Sequence, residues 1–263
     1  MSRSMITLTT DFGGGSPYVA QIKGVILSIQ PQAVLIDMTH AVSPQNVRQA
    51  TLVLEDVTPR FPEGSIHVAV VDPGVGTDRR LLAAEIGGRY YIAPDNGLLG
   101  RLVGSVPAAR VVALTQRGYW LPVVSATFHG RDIMAPVAAH LSLGAALEDF
   151  GEPCDRLTQL AWPQVEVEKN RLQGEILAID SFGNLITNIS QDLLAAGAAD
   201  SAAVQCGGRT ISGLADTYGR HTPGTLIALV GSSNRLEIAV VNGSAAVELR
   251  AEVGDAVSVT LTP

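Results

Sequence analysis

The chain is 263 residues long, 46% hydrophobic and 16% charged, with a formal net charge of −7 at pH 7. That length and apolar content suffice to bury a sizeable core, in one large domain or two ordinary ones. The acidic balance, with no Lys/Arg cluster longer than Arg79-Arg80, argues against a nucleic-acid footprint, and no apolar run approaches membrane-spanning length.

In chain order, residues 6–10 read as a strand. Ser16-Pro17 then supply an N-cap and a first-turn proline for a helix with Val19, Ile22, Ile26 and Ile29 on one face. Residues 33–38 form the next strand. Residues 46–57 place Val47, Ala50, Leu54 and Val57 at helical spacing, and Pro59 ends that helix. The near-continuous apolar run to Val71, with Val68, Ala69 and Val70, is typical of a strand covered on both faces of a parallel sheet. Residues 81–86 and 89–93, separated by Gly87-Gly88, read as a hairpin that adds antiparallel strands. Residues 111–114 are another strand and residues 132–143 another helix. This alternation predicts a layered, mostly parallel α/β sheet.

Past Gly151, Pro153 and Pro163 the pattern changes to short strands over 172–179, 185–189, 202–205, 226–230, 236–241 and 256–261. Turn signals at Gly207-Gly208 and Asn242-Gly243 separate them, which predicts a small antiparallel β-barrel or sandwich. The expected domains are 1–164 (α/β) and 165–263 (β), and the Ala-rich stretch 194–199 reads as helix or loop. The two cysteines, Cys154 and Cys206, are far apart, which suits a reducing compartment and no disulfide framework. The chain reaches its first strand without a basic n-region and long apolar segment, so a cytoplasmic protein is expected.

Several clusters carry chemistry. At Val71-Asp72-Pro73-Gly74-Val75-Gly76-Thr77-Asp78-Arg79-Arg80 an apolar strand stops at a carboxylate. In open α/β sheets, ligands bind beyond the carboxyl ends of the strands. Pro73 fixes φ and the glycines permit positive φ, so the chain can turn and bring Arg79 back to Asp72; the plainer reading is a turn with a surface ion pair. Thr10-Asp11-Phe12-Gly13-Gly14-Gly15-Ser16 puts an acid before glycines and a helix start. A carboxylate there repels phosphate but can accept ribose hydroxyls, so a nucleoside without phosphates fits better than a nucleotide. In Phe128-His129-Gly130-Arg131-Asp132, a helix start favours a neutral imidazole at His129; a solvent-facing cap is the alternative. Ala93-Pro94-Asp95-Asn96-Gly97 reads as a turn into a short helix. In Asp180-Ser181-Phe182-Gly183-Asn184, Asp180 could pair with an ammonium, Phe182 stack on a flat ring and Asn184 bond a base edge; a plain hairpin turn is the other reading. Tyr218 and Ser232 add an aromatic face and a hydroxyl in the same domain.

Taken together and in order, these motifs resemble the S-adenosyl-L-methionine (SAM) hydroxide adenosyltransferase family, the SAM hydrolases related in fold to the fluorinase and chlorinase enzymes. The resemblance covers almost the whole chain. It implies an N-terminal α/β domain, a C-terminal β-barrel and a homotrimer with active sites between one subunit's N-terminal domain and a neighbour's C-terminal domain. It also implies cleavage of SAM by water to adenosine and L-methionine, with neither metal nor cofactor. By position, Asp72, Arg79 and His129 match the set around the nucleophilic water, Asp11 the ribose carboxylate and Asp180 the carboxylate near the methionine ammonium. Phe182, Asn184 and Tyr218 fall at the adenine and Ser232 at the methionine carboxylate. Val241-Asn242-Gly243 departs from the related enzymes by placing Asn one position later, and Gly14 to Tyr18 is unlike the fluorinase. The rival expectations are halide transfer, which a negative Asp72 would oppose, a SAM or adenosine sensor without turnover, and a metal hydrolase built on Asp11, His40, Asp72 and His129, whose spacing lacks the usual close histidines.

Overall fold

A computed structural model describes residues 5–104, 109–194 and 202–261 of the chain. It divides into two compact units, Met1–Leu160 and Ala161–Pro263. Residues 195–199 of the Ala-rich stretch lie outside the described residues.

The first unit runs β1 (Met5–Thr10), α1 (Pro17–Ile29), β2 (Val34–Thr39), α2 (Val47–Val57), β3 (Ile66–Val70), β4 (Leu81–Ile86), β5 (Arg89–Pro94), α3 (Leu98–Gly104), β6 (Arg110–Ala113) and α4 (Ala135–Ser142). Its strands form one sheet in the order β2-β1-β3-β5-β4-β6. The β1–β2, β1–β3 and β3–β5 pairs are parallel, and β4 is antiparallel to both β5 and β6. The apolar run at β3 is continuous because both faces are covered. Ile66, Val68 and Val70 join Ile22 and Ile26 of α1 and Val137 and Leu141 of α4 in one core. Ala69 and Val71 join Ala50 and Leu54 of α2 and Leu98 and Leu102 of α3 in the other. The expected cap at Ser16 is in place, accepting from Tyr18 N, and Asn46 also caps α2 by accepting from Gln49 N.

One helix departs from expectation. The segment read as helical from residue 132 begins instead with a π-helical turn, Gly130–Met134, before α4. Pro136 is the cause: it has no N–H for the carbonyl of Asp132, which accepts from Leu121 N at 2.9 Å instead.

The second unit holds β7 (Glu166–Glu168), β8 (Arg171–Ile179), β9 (Leu185–Ser190), β10 (Ala202–Cys206), β11 (Arg209–Ser212), β12 (Leu226–Val230), β13 (Arg235–Val240), α5 (Ala245–Leu249) and β14 (Ala256–Leu261). They form an antiparallel, nearly closed, barrel-like sheet in the order β11-β10-β14-β8-β9-β13-β12, with β7 added beside β8. Its interior is built from alternate residues such as Leu236, Ile238 and Val240 of β13 and Val257 and Val259 of β14. Gly207-Gly208 make the expected turn after β10, and it leads into β11, a strand absent from the expected set. Asn242-Gly243 instead lead into α5, whose first turn Ser244 caps by accepting from Val247 N. Among the described residues no helix is long and apolar enough to cross a membrane.

Candidate active site

The site in the first unit begins at the carboxyl edge of the sheet. Thr10 of β1 lies opposite Val70 of β3 in a parallel pair, so Asp11 and Asp72 leave adjacent strand ends on the same edge. Beyond Asp72 the chain doubles back through bonds from Val75 N to the Asp72 carbonyl and from Thr77 N to the Gly74 carbonyl. Of the two glycines expected to help the turn, Gly76 uses positive φ, at 82°, and Gly74 does not. The turn returns Arg79 to Asp72. Arg79 Nε donates to Asp72 Oδ1 at 2.6 Å and Nη2 donates to Oδ2, a two-pronged pair whose side chains are only 9% and 7% exposed. It is therefore a buried ion pair and not the surface pair of the plainer reading.

Arg80 goes elsewhere. It binds Asp95 and the carbonyl of Arg156, and Asp95 also accepts from Thr158 N. Asn96 Nδ2 donates to the Val71 carbonyl at 2.9 Å, so the Ala93–Gly97 cluster props the loop that carries Asp72.

His129 is delivered from the other side. Gly130 packs directly on β3, where a Cβ would stand 2.7 Å from Val70 Cγ1, and this close approach sets His129 beside the strand end. Buried Asp132 pins the loop by accepting from Ser125 N at 2.8 Å and Arg131 Nε at 2.6 Å. Arg79 Nη2 lies 3.0 Å from His129 Nδ1. A guanidinium only donates, so Nδ1 accepts, and the donor set assigns a neutral imidazole with its proton on Nε2. Burial lowers the His129 pKa first and the Arg79 charge second, with Asp72 and Asp132 opposing.

Asp11, Asp72 and His129 line one cleft of about 220 Å³ with Phe12, Gln45, Thr127 and Phe128. Asp11 Oδ2 accepts from Gln45 N at 2.7 Å, and Gln45 holds a left-handed φ of 65°. A roomier cavity of about 670 Å³ is also lined by Arg79 and His129, together with Arg80, Leu114, Trp120 and Ile133. The four candidate metal ligands already have protein partners. Asp11 holds Gln45, Asp72 holds Arg79, His129 faces Arg79, and His40 sits between Thr10 Oγ1 and Asp37 Oδ1, each at 2.9 Å. Among the described residues no group of three or more His, Cys, Asp or Glu is arranged to hold a metal ion.

The second unit gathers all five of its candidate residues around one cavity of about 640 Å³, lined by Asp180, Phe182, Asn184, Tyr218 and Ser232. Asp180 closes the β8–β9 turn. Its Oδ1 accepts from Phe182 N and Asn184 N, both at 2.9 Å, and its Oδ2 from Asn184 Nδ2 at 3.1 Å. The turn leaves the Phe182 ring 75% exposed. Glu237 of β13 lines the same cavity, buried, and its Oε1 accepts the Tyr218 hydroxyl. Sequence reasoning passed over Glu237 because it alternates with Leu236 and Ile238 as an outward-facing strand residue would. Gln45 was missed because its contribution is a backbone N–H.

Comparison with known proteins places the chain among named relatives. The chain is 41% identical over 260 residues, 97% of each chain, to the (R)-S-adenosyl-L-methionine hydrolase of Salinispora tropica. It is 29% identical over 73% of its length, and 74% of the relative's, to the fluorinase of Actinopolyspora mzabensis. The crystal structure of an uncharacterized conserved protein from Thermotoga maritima superposes with a TM-score of 0.92 at 37% identity, over 97% of this chain and 100% of that one. Residues 6–151 match the SAM hydroxide adenosyltransferase N-terminal domain and residues 174–258 the C-terminal domain. The chain belongs to the SAM hydroxide adenosyltransferase family.

Proposed function

We propose that this chain hydrolyses SAM to adenosine and L-methionine. The supporting observation is the buried Asp72–Arg79–His129 array beside Asp11, in a chain 41% identical to a SAM hydrolase. The sulfonium makes methionine a good leaving group, so the protein need only place and activate water. The water oxygen bonds to ribose C5′, the C5′–S bond breaks, and sulfur keeps the electron pair. One water proton passes to Asp72 and on to solvent. Arg79 holds Asp72 and His129 in register, while His129 Nε2–H donates to the water oxygen and Asp72, with lone pairs left over from its two bonds to Arg79, accepts the proton.

Asp11 accepts the ribose hydroxyls, Phe182, Asn184 and Tyr218 take the adenine, Asp180 faces the methionine ammonium and Ser232 its carboxylate. No metal or other cofactor enters the reaction. The cleft beside Asp72, about 220 Å³, is below the roughly 300–1,000 Å³ of small-molecule sites. The water-activating residues and the adenine-side residues lie in different units, and the family resemblance assigns such a site to a homotrimer that pairs one subunit's N-terminal unit with a neighbour's C-terminal unit. The protein acts in the cytoplasm on a small molecule, with neither nucleic acid nor membrane as partner.

Hydroxide is favoured over halide for a reason the ion pair sharpens. Arg79 offsets the charge of Asp72, so simple repulsion is muted; what Asp72 offers is acceptors, which water can satisfy with its hydrogens and a halide cannot. Incubation with SAM in concentrated chloride tests this. Adenosine and methionine are expected, and 5′-chloro-5′-deoxyadenosine as the main product would overturn the assignment.

A further inference from the structure

We propose that Glu237 is a positioning residue that fixes the Tyr218 ring in the nucleoside cavity, and that Gly231 lacks a side chain to leave room for the Glu237 carboxylate. The inference rests on the reading that this cavity takes the adenosyl part of SAM. Tyr218 stands on a short 3-10 turn, Tyr218–Arg220, in the connection between β11 and β12, and is 39% exposed. Loops carry binding residues well only when something rigid orients them. Here the rigid element is β13, paired on both sides by β9 and β12, and the link is the Tyr218 hydroxyl donating to Glu237 Oε1.

Placing a carboxylate there is costly without a purpose. Glu237 is 6% exposed, and burying an acid disfavours its charged form. Burial raises its pKa, nearby Asp180 raises it further, and the Tyr218 hydroxyl works against both. An apolar residue at this position would avoid that cost and would lose the tether.

Gly231 supplies an independent observation. A Cβ there would stand 2.5 Å from Glu237 Oε2, and its φ is not positive, so space and not backbone conformation calls for glycine. Gly231→Ala therefore clashes only with the Glu237 carboxylate oxygen, the next atoms of that side chain lying at 3.5 and 3.6 Å, in ordinary contact. It should fold and push the carboxylate off the Tyr218 hydroxyl, reproducing the loss of Glu237 without touching that residue.

The test is calorimetric titration of adenosine, with SAM turnover measured in parallel. Glu237→Leu and Gly231→Ala should each weaken adenosine by about tenfold, the scale of one hydrogen bond to a charged acceptor. They should raise KM for SAM by a similar factor while kcat changes less than about twofold, as loss of uniform binding requires. Glu237→Gln keeps an acceptor for the hydroxyl and should restore most of the affinity. In a Tyr218→Phe background, Glu237→Leu should add almost nothing. Adenosine affinity unchanged in both Glu237→Leu and Gly231→Ala, or a loss that persists undiminished beside Tyr218→Phe, overturns the inference. A Glu237→Gln variant that weakens SAM but not adenosine would reassign Glu237 to the methionine ammonium and overturn it as well. If Glu237→Leu fails to fold, Gly231→Ala carries the test. Wild-type protein that binds adenosine but leaves SAM intact would instead sink the hydrolase reading and leave this one to the adenosine data.

Discussion

Replacing Arg79 by leucine separates what the Asp72–Arg79 pair does for the fold from what it does for the reaction. The side chains are 9% and 7% exposed and meet through two bonds, one of 2.6 Å. Removing the guanidinium leaves the Asp72 carboxylate without its charge partner in a site only 7% exposed, and breaking a buried pair from one side costs about 3–5 kcal/mol. The double variant Asp72→Asn/Arg79→Leu leaves no buried charge and should recover roughly half of that loss. The double variant, which lacks the base, should lose turnover by about 10²–10⁴-fold, the range for a general acid–base group, and Arg79→Leu, which leaves Asp72 and His129 out of register, should lose turnover as well. Urea unfolding of the first unit, followed through Trp120 in a Trp162→Phe background, measures the stabilities, and a discontinuous SAM assay measures turnover. The reasoning fails if Arg79→Leu costs less than about 1 kcal/mol, well under the buried-pair range. It also fails if the double variant is no more stable than the single one, or if it recovers activity along with stability.

Gly130→Ala should lower kcat by displacing His129, since its Cβ would lie 2.7 Å from Val70 Cγ1, and Val70→Ala should rescue it in the double variant, a pattern that a chemical role for residue 130 would not give. His67 is fully buried between Phe61 and Tyr91, with Nδ1 2.8 Å from Thr7 Oγ1. Burial, with the Arg89 charge second, lowers its pKa from 6.5 to about 4. The unfolded chain therefore takes up this proton first as pH falls, so stability is complete above pH 6.5 and declines toward pH 4 by about 3 kcal/mol in all. His67→Gln should flatten that part of the pH–stability curve, and an unchanged slope would contradict the assignment. Phe182→Ala should leave the unfolding midpoint almost unmoved, because the ring is 75% exposed, while raising KM for SAM; destabilisation without a change in KM would make the ring a packing residue.

Much of the fold was legible because its signals are local. The two-sided burial at the end of β3 is written as the apolar run Val68 to Val71, the start of α1 as Ser16-Pro17 before periodic residues, and the turn after β10 as a glycine pair. What escaped depends on distant partners. Pro136 displaced the start of a helix because the freed Asp132 carbonyl found Leu121, and Asn242-Gly243 closed onto a short helix and not a hairpin. The site divides the same way. Asp72, Arg79, His129 and Asp11 come together, with Arg79 returned to Asp72 as the turn residues suggested, but the role of its neighbour Arg80, which props the loop through Asp95, depends on a partner distant in sequence. Glu237 hid inside ordinary strand alternation, and only its burial and its bond to Tyr218 mark it.

The most direct measurement is turnover of SAM in ¹⁸O-water with the products resolved by mass spectrometry. Displacement at C5′ by water activated at Asp72 places the label in the 5′-hydroxyl of adenosine and leaves methionine unlabelled. Unlabelled adenosine, label in the methionine, or SAM returned intact would contradict it.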